Sequence, residues 1–120
     1  MRVGSALLLA VGPLVGTLLV HYPVGAAPAI EGTCLLEVGG QAFIDGPCEI
    51  DLRPDGSFVV TAYRSRELSY FAYVLLDGAD KATGYWNEER GAGHAHSPLG
   101  TLTRSGACWQ NRDAKVCAWR

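Results

Sequence analysis

The sequence lacks several motifs that identify catalytic or metal-binding small domains. Its cysteines show no C-x-x-C spacing, which argues against a thiol oxidoreductase or a structural zinc site. It has neither a G-x-S-x-G nucleophile elbow nor a glycine-rich loop with a phosphate-binding lysine. With a formal net charge of -2, it also has little of the positive charge that general nucleic-acid binding requires. These absences favour a protein that is not an enzyme, needs no cofactor and binds no nucleic acid.

Residues 1–26 have the order of a secretory signal peptide. Met1 and Arg2 give a charged start, an uncharged apolar run extends to Val20, and small residues follow it. Cleavage after Ala26 or after Ala29 fits this pattern. The alternative is a retained anchor, because the run is close to the lower limit of roughly 18 residues for a spanning helix. We therefore predict an exported protein, periplasmic or secreted, that meets the membrane only through an uncleaved signal segment.

Residues 30–120 predict one mainly β domain. Short apolar stretches alternate with glycine, proline, aspartate and asparagine, and no long segment has a helical period. Gly39-Gly40 and Pro54-Asp55-Gly56 are typical of tight turns. We expect an interruption at Asp45-Gly46-Pro47 and loops at 64–69 and 87–98. The expected fold is a small antiparallel meander or barrel, with strands at 34–38, 41–44, 48–52, 57–63, 70–76, 82–86 and 99–103 and a final hairpin at 107–119.

An even number of cysteines in a small exported domain predicts two disulfides. In the last hairpin, a four-residue loop at 111–114 brings Cys108 directly opposite Cys117. Opposed residues of antiparallel strands lie about 4.5–5.5 Å apart, which is within the reach of a disulfide. We therefore predict a Cys108–Cys117 bond and, by elimination, a Cys34–Cys48 bond, both local in sequence.

Charge is distributed unevenly along this domain. Acidic residues dominate from 31 to 89, whereas basic residues dominate from 90 to 120. Such asymmetry indicates either an anionic partner for the basic part or pairing of the two parts within the fold. We favour the pairing.

His94 and His96 form the one local pattern that indicates a metal site. In an extended segment their side chains point the same way and could chelate copper or zinc, with Glu88 or Glu89 completing the set. Two imidazoles are only half of a tetrahedral set, however. The interpretation that we favour is that both histidines brace the glycine-rich loop through hydrogen bonds to its backbone.

Aromatic residues concentrate in the basic C-terminal part, where Tyr85, Trp86, Trp109 and Trp119 lie. Tyrosine, tryptophan and arginine are enriched in binding hot spots, and aromatic rings also stack on sugars. These four residues are therefore candidates for contact with a ligand or partner. Because each ring buries a large apolar area, we expect at least two of the tryptophans to fill the core. Trp109 and Trp119 should lie on opposite faces of the last hairpin.

The segments GYWNEERGAGHAHSPLGTLTRSGACWQNRDAKVCAW and CLLEVGGQAFIDGPCEIDL resemble the two halves of short exported bacterial proteins of unassigned function. This resemblance implies a bacterial envelope or secreted protein and transfers no activity. Bacterial lysozyme inhibitors are similar in architecture only, as small exported disulfide-bonded barrels. The sequence therefore predicts a non-catalytic binding or inhibitor-like module for a protein or glycan of the cell envelope. The alternative is a periplasmic protein that binds copper or zinc through His94 and His96.

Overall fold

The computed structural model describes residues 28–120, so the predicted signal peptide at 1–26 lies outside the described residues. Residues 28–120 contain no candidate for a membrane-spanning helix. The described chain forms eight strands: β1 (Ile30–Val38), β2 (Gln41–Leu52), β3 (Phe58–Arg64), β4 (Glu67–Leu76), β5 (Lys81–Trp86), β6 (Ser97–Ser105), β7 (Cys108–Gln110) and β8 (Ala114–Trp119).

The strands close into a barrel in which each strand pairs with its neighbours in sequence and β8 returns to β1. Every pairing is antiparallel. The prediction of a small antiparallel meander or barrel is thus confirmed. Closure gives each of the eight strands between residues 28 and 120 a hydrogen-bonded neighbour on both sides.

The barrel interior is filled by alternate residues of each strand, because successive side chains of a strand point to opposite faces. Aliphatic side chains in the middle layer are fully shielded from solvent, namely Leu36, Val60, Val74, Leu102 and Val116. Gly84 also faces this core, and a Cβ at that position would lie 2.8 Å from Leu102 Cδ1. A side chain at position 84 would therefore require Leu102 and Leu99 to shift within the core.

Both predicted disulfides are present. Cys108 and Cys117 are direct partners on β7 and β8, with Cα atoms 4.0 Å apart, which confirms the register expected from the loop length. Cys34 and Cys48 join β1 to β2 across 5.8 Å between Cα atoms. Each disulfide therefore fastens one hairpin.

The predicted break at Asp45-Gly46-Pro47 is wrong, since β2 runs through it from Gln41 to Leu52. Pairing with β1 continues there, with Pro47 opposite Thr33 and Gly46 opposite Cys34. Tertiary pairing thus overrides the turn preference of these residues.

The loop predicted at 64–69 is also wrong. Arg64 pairs with Glu67 across a tight turn, and β4 begins at Glu67. Ser65 and Arg66 have φ values of 52° and 68° there. The two-residue hairpin loops that match strand twist need such positive values, which glycine and asparagine usually supply. Farther along, β6 is longer than expected and begins at Ser97, so the loop predicted at 87–98 spans residues 87–96.

The two ends of the barrel differ. At one end, the rings of Phe43, Tyr70 and Trp86 form an aromatic cluster, and the Phe43 and Trp86 centroids are 4.7 Å apart. We call this the closed end, and the loop 87–96 lies there. The opposite end, which carries the turns 53–57, 77–80 and 106–107, has no such cluster among the described residues, and we call it the open end.

Candidate binding groove on the outer face

The outer face of β3, β4 and β5 carries a row of apolar and aromatic side chains. Val59 lies opposite Tyr73, and Tyr73 lies opposite Tyr85, so the three residues form one line across the strands. Val59 is buried and the two tyrosines are half-buried, although none of the three belongs to the core cluster inside the barrel. The solvent-facing side of an antiparallel sheet is normally polar. This row is therefore a departure from the expected pattern.

The row forms the floor of a groove of about 390 Å³. Leu75, which is 42% exposed, borders the groove, and Ala95 and His96 from the loop 87–96 contribute to its lining. Arg53 also lines it, with its guanidinium 3.2 Å from the Asp51 carboxylate. The lining is thus mainly apolar, with a few polar groups.

Asn87 fixes the loop that supplies Ala95 and His96. Its side chain is buried and continues the β4–β5 ladder, because its Oδ1 accepts from the Phe71 N–H at 3.0 Å. Its Nδ2 lies within hydrogen-bond distance of the carbonyl oxygens of Ser69 (3.0 Å), Ala92 (3.1 Å) and Glu89 (3.2 Å). One amide thereby joins both sides of the loop to the start of β4.

Arg90 anchors the same loop from a second direction. Its guanidinium donates to Ser69 Oγ at 3.1 Å and lies 5.1 Å from the ring centroid of Tyr70. A cation over an aromatic face at this distance is attracted by the ring quadrupole. The loop is therefore attached to the aromatic cluster of the closed end.

The His94 and His96 rings stack, with centroids 5.6 Å apart. We expected both histidines to brace the loop through hydrogen bonds to its backbone, and this expectation is wrong. Among residues 28–120, neither imidazole makes such a bond, and Asn87 braces the loop instead. The Glu88 carboxylate accepts a hydrogen bond from Ser97 Oγ. Among the described residues, no three histidine, cysteine or acidic side chains come close enough to hold a metal ion.

The four aromatic candidates are not brought together. Tyr85 lines the groove with His96. Trp86 belongs to the aromatic cluster of the closed end, and Trp109 lies in the core towards the open end. Trp119 is 44% exposed on β8, away from the groove. Trp86 and Trp109 thus fill the core, and only Tyr85 contacts the groove.

We expected the acidic and basic parts of the domain to pair with each other, and this expectation is wrong. In the part of the chain that the structure describes, the one salt bridge joins Arg53 to Asp51, two residues apart. Arg104, Arg112 and Arg120 have no acidic partner there. The basic excess therefore remains on the surface.

Most of the groove floor and Asn87 were not among the candidate residues predicted from the sequence. Residues 70–76 are apolar at both alternating positions, so the sequence signals two covered faces without showing what covers the outer one. In the structure, the loop 87–96 covers part of the outer face of this strand. Asn87, at the end of a strand and before a glycine-rich segment, was the available signal for a side-chain cap.

Comparison of the chain with models of known protein families, with curated proteins and with solved structures gave no match.

Proposed function

We propose that this is an exported, non-catalytic binding module that holds a protein partner in the groove on its outer face. The observation that carries the proposal is the row Val59–Tyr73–Tyr85, which presents apolar and aromatic surface where the outside of a barrel is normally polar. A groove of about 390 Å³ has room for an apolar or aromatic side chain of a partner. An inhibitor of an exported enzyme is one form of such a module.

The chemistry of the groove favours a protein over a glycan. A sugar needs polar groups that match its hydroxyls as well as a ring on which to stack, because unpaired buried hydroxyls are costly. The polar side chains of the groove are the two tyrosine hydroxyls, His96 and Arg53, and the Arg53 guanidinium already contacts Asp51. The remaining lining is apolar and fits an apolar side chain better.

Two features support export. The disulfides Cys34–Cys48 and Cys108–Cys117 are consistent with an oxidising compartment. Residues 1–26 have the charge and apolar order of a secretory signal. A periplasmic or secreted location follows from this proposal, and detection of the protein in the periplasmic or culture fraction tests it.

Leu75 and Trp119 provide a matched pair of variants. Both side chains are similarly exposed, at 42% and 44%, but only Leu75 borders the groove. We expect Leu75→Glu to prevent capture of the partner from an envelope extract of the native host, because a carboxylate in an apolar contact is costly to desolvate. Trp119→Glu should leave capture unchanged. The captured protein is identified by mass spectrometry and its affinity is then measured with purified components.

The opposite pattern, in which Trp119→Glu prevents capture and Leu75→Glu does not, would place the interface elsewhere. Binding to a glycan array that Leu75→Glu removes would assign the groove to a sugar. Either result overturns the proposal. Circular dichroism of both variants separates loss of binding from loss of fold.

A further inference from the structure

A second cavity lies inside the barrel at its open end. Its volume is about 360 Å³. This is more than twice the roughly 150 Å³ of an engineered apolar cavity that admits benzene. The walls are apolar side chains that face inwards, namely Ile50, Leu52, Phe58, Leu76, Trp109 and Ala118. The mouths of barrels are common positions for small-molecule sites. This cavity is distinct from the outer groove, although Phe58 lines both.

Small residues border the cavity at the turns of the open end. Gly56 lies in the β2–β3 turn, and Gly106 and Ala107 connect β6 to β7. Gly56 and Gly106 have positive φ values of 93° and 63°, and a Cβ on Gly56 would lie 3.0 Å from Leu76 Cδ2. Glycine is the residue that adopts these conformations without strain. The turns therefore leave space at the mouth where the closed end has aromatic rings.

The charged side chains that line the cavity are both basic. Arg104 and Arg120 line the cavity, and no acidic residue lines it. Arg104 donates through Nε to the Gly106 carbonyl at 3.3 Å, which leaves its two terminal nitrogens for a ligand. Asp55 and Asp77, in the turns of the open end, do not line the cavity, and their carboxylates accept hydrogen bonds from Ser57 and Thr83. In the described residues neither arginine forms a salt bridge.

We propose that the open end binds a small anionic amphiphile, with the apolar body inside the barrel and a carboxylate or phosphate between Arg104 and Arg120. The apolar walls remove the body from water. Guanidinium groups bind carboxylate and phosphate through paired, charge-assisted hydrogen bonds. The proposal does not depend on the groove, because it uses the cavity walls and two arginines that the groove lacks.

The direct test titrates the purified protein with decanoate and, in parallel, with decan-1-ol. Binding is followed by calorimetry and by the fluorescence of Trp109, which lines the cavity. We expect saturable decanoate binding that is about tenfold tighter than that of the neutral alcohol, since a hydrogen bond to a charged group contributes about 1.5–3 kcal/mol. Trp119→Phe removes the exposed tryptophan from the background signal.

Charge is tested by two double variants. Arg104→Gln with Arg120→Gln should reduce the affinity for decanoate about tenfold and leave that for decan-1-ol unchanged. Arg64→Gln with Arg112→Gln removes the same charge at the closed end, where both arginines are exposed. This control should leave both affinities unchanged. An equal loss of decanoate binding in the two double variants would overturn the proposal, because only net charge would then matter.

Space is tested by filling the cavity. Ala118→Phe should abolish binding of both probes, and Ala107→Phe, at an exposed position of the rim, repeats the test with little risk to the fold.

Vesicles of phosphatidylglycerol distinguish two sources of the ligand. Sedimentation with vesicles that both filled variants lose assigns a membrane lipid, whereas binding of decanoate without vesicle association assigns a free anion. Binding that survives in both filled variants, or no saturable binding of decanoate by the unmodified protein, would refute the cavity as a site.

Discussion

Cys108 lies directly opposite Cys117, and their disulfide is on the outer side of the barrel wall, since Trp109 and Val116 beside them point inwards. The Cys34–Cys48 disulfide instead belongs to the core. Removing a native disulfide from a small domain typically costs about 2–5 kcal/mol. We expect replacement of both Cys34 and Cys48 by alanine to lie at the upper end of that range, because a core cavity adds to the lost link.

Replacement of Cys108 and Cys117 by alanine should cost less, because Cys108 is half-buried and Cys117, although shielded from solvent, lies outside the core cluster. Urea unfolding of the two double variants measures the difference. Equal losses would show that core packing around Cys34–Cys48 contributes nothing beyond the link. Mass mapping provides an independent check, since a crossed linkage or free thiols in the exported protein would refute the hairpin register.

Asn87→Ala should destabilise the protein by about 1–3 kcal/mol, because it leaves the Phe71 N–H and the Ser69 carbonyl without their side-chain partner. Asn87→Asp keeps the acceptor for the Phe71 N–H but loses the side-chain donors, and it also buries a charge. The loss of stability should therefore be at least as large as in Asn87→Ala. Thermal unfolding gives both values. Hydrogen exchange of the Phe71 amide should increase in Asn87→Ala, and unchanged protection there would contradict the proposed role of Asn87.

Arg66→Gly should raise the stability of the barrel. Arg66 has a φ of 68°, which costs an ordinary residue of order 1 kcal/mol and costs glycine little. We therefore expect a gain of about 0.5–1 kcal/mol in chemical denaturation. Gly40→Ala is the reciprocal control. Gly40 has a φ of 83° in the β1–β2 turn, so the protein should lose stability when alanine replaces it. A loss in Arg66→Gly would mean that the arginine side chain contributes more than its backbone strain.

The Asp55 carboxyl gives the β2–β3 turn a dependence on pH. The backbone N–H of Ser57 and then its hydroxyl donate to Asp55 and hold its pKa below the usual 3.8. A lowered pKa in the folded state stabilises the protein above the unfolded value, and this contribution is lost as the pH falls through the folded value. The difference in stability between the unmodified protein and Asp55→Asn should therefore be constant above about pH 5 and shrink below pH 3.8. A difference independent of pH would contradict this assignment.

Zinc and copper(II) test the His94–His96 pair. The rings lie 5.6 Å apart but have no third protein ligand in the described part of the chain. We therefore expect neither metal to raise the melting temperature. His96→Ala should change stability by less than about 0.5 kcal/mol, as is usual at exposed positions without hydrogen bonds. A metal-dependent rise in melting temperature that His96→Ala removes would establish the alternative function.

The last hairpin was the most predictable part of the fold. Its two cysteines and the length of its loop leave one register in which Cys108 faces Cys117, so local geometry is sufficient. The errors at Pro47 and at Ser65-Arg66 have the opposite origin. At both positions the local preference of the residues disagrees with the barrel, and cross-strand pairing decides the outcome.

The groove could not be derived from the sequence for a related reason. Tyr70 and Phe71 are adjacent and both apolar, and only barrel closure determines that Tyr70 packs against the core while Phe71 faces outwards. The mouth of the open end depends in the same way on side chains from strands that are distant in sequence. The barrel topology determines which residues line the mouth, and the spacing of apolar residues along the sequence does not reveal that topology.

The seam between β1 and β8 has a consequence for folding kinetics. Every other strand pair is a hairpin of consecutive strands, and both disulfides lie within hairpins, so no covalent bond crosses this seam. Contacts across the seam, such as Leu36 with Val116, close a loop that contains most of the described chain. The loop-closure entropy lost on forming β1–β8 is therefore larger than for any other strand pair. We expect the seam to form last during refolding and to open first in local unfolding. Fast amide exchange along β8, relative to β3 and β4, would reveal this order.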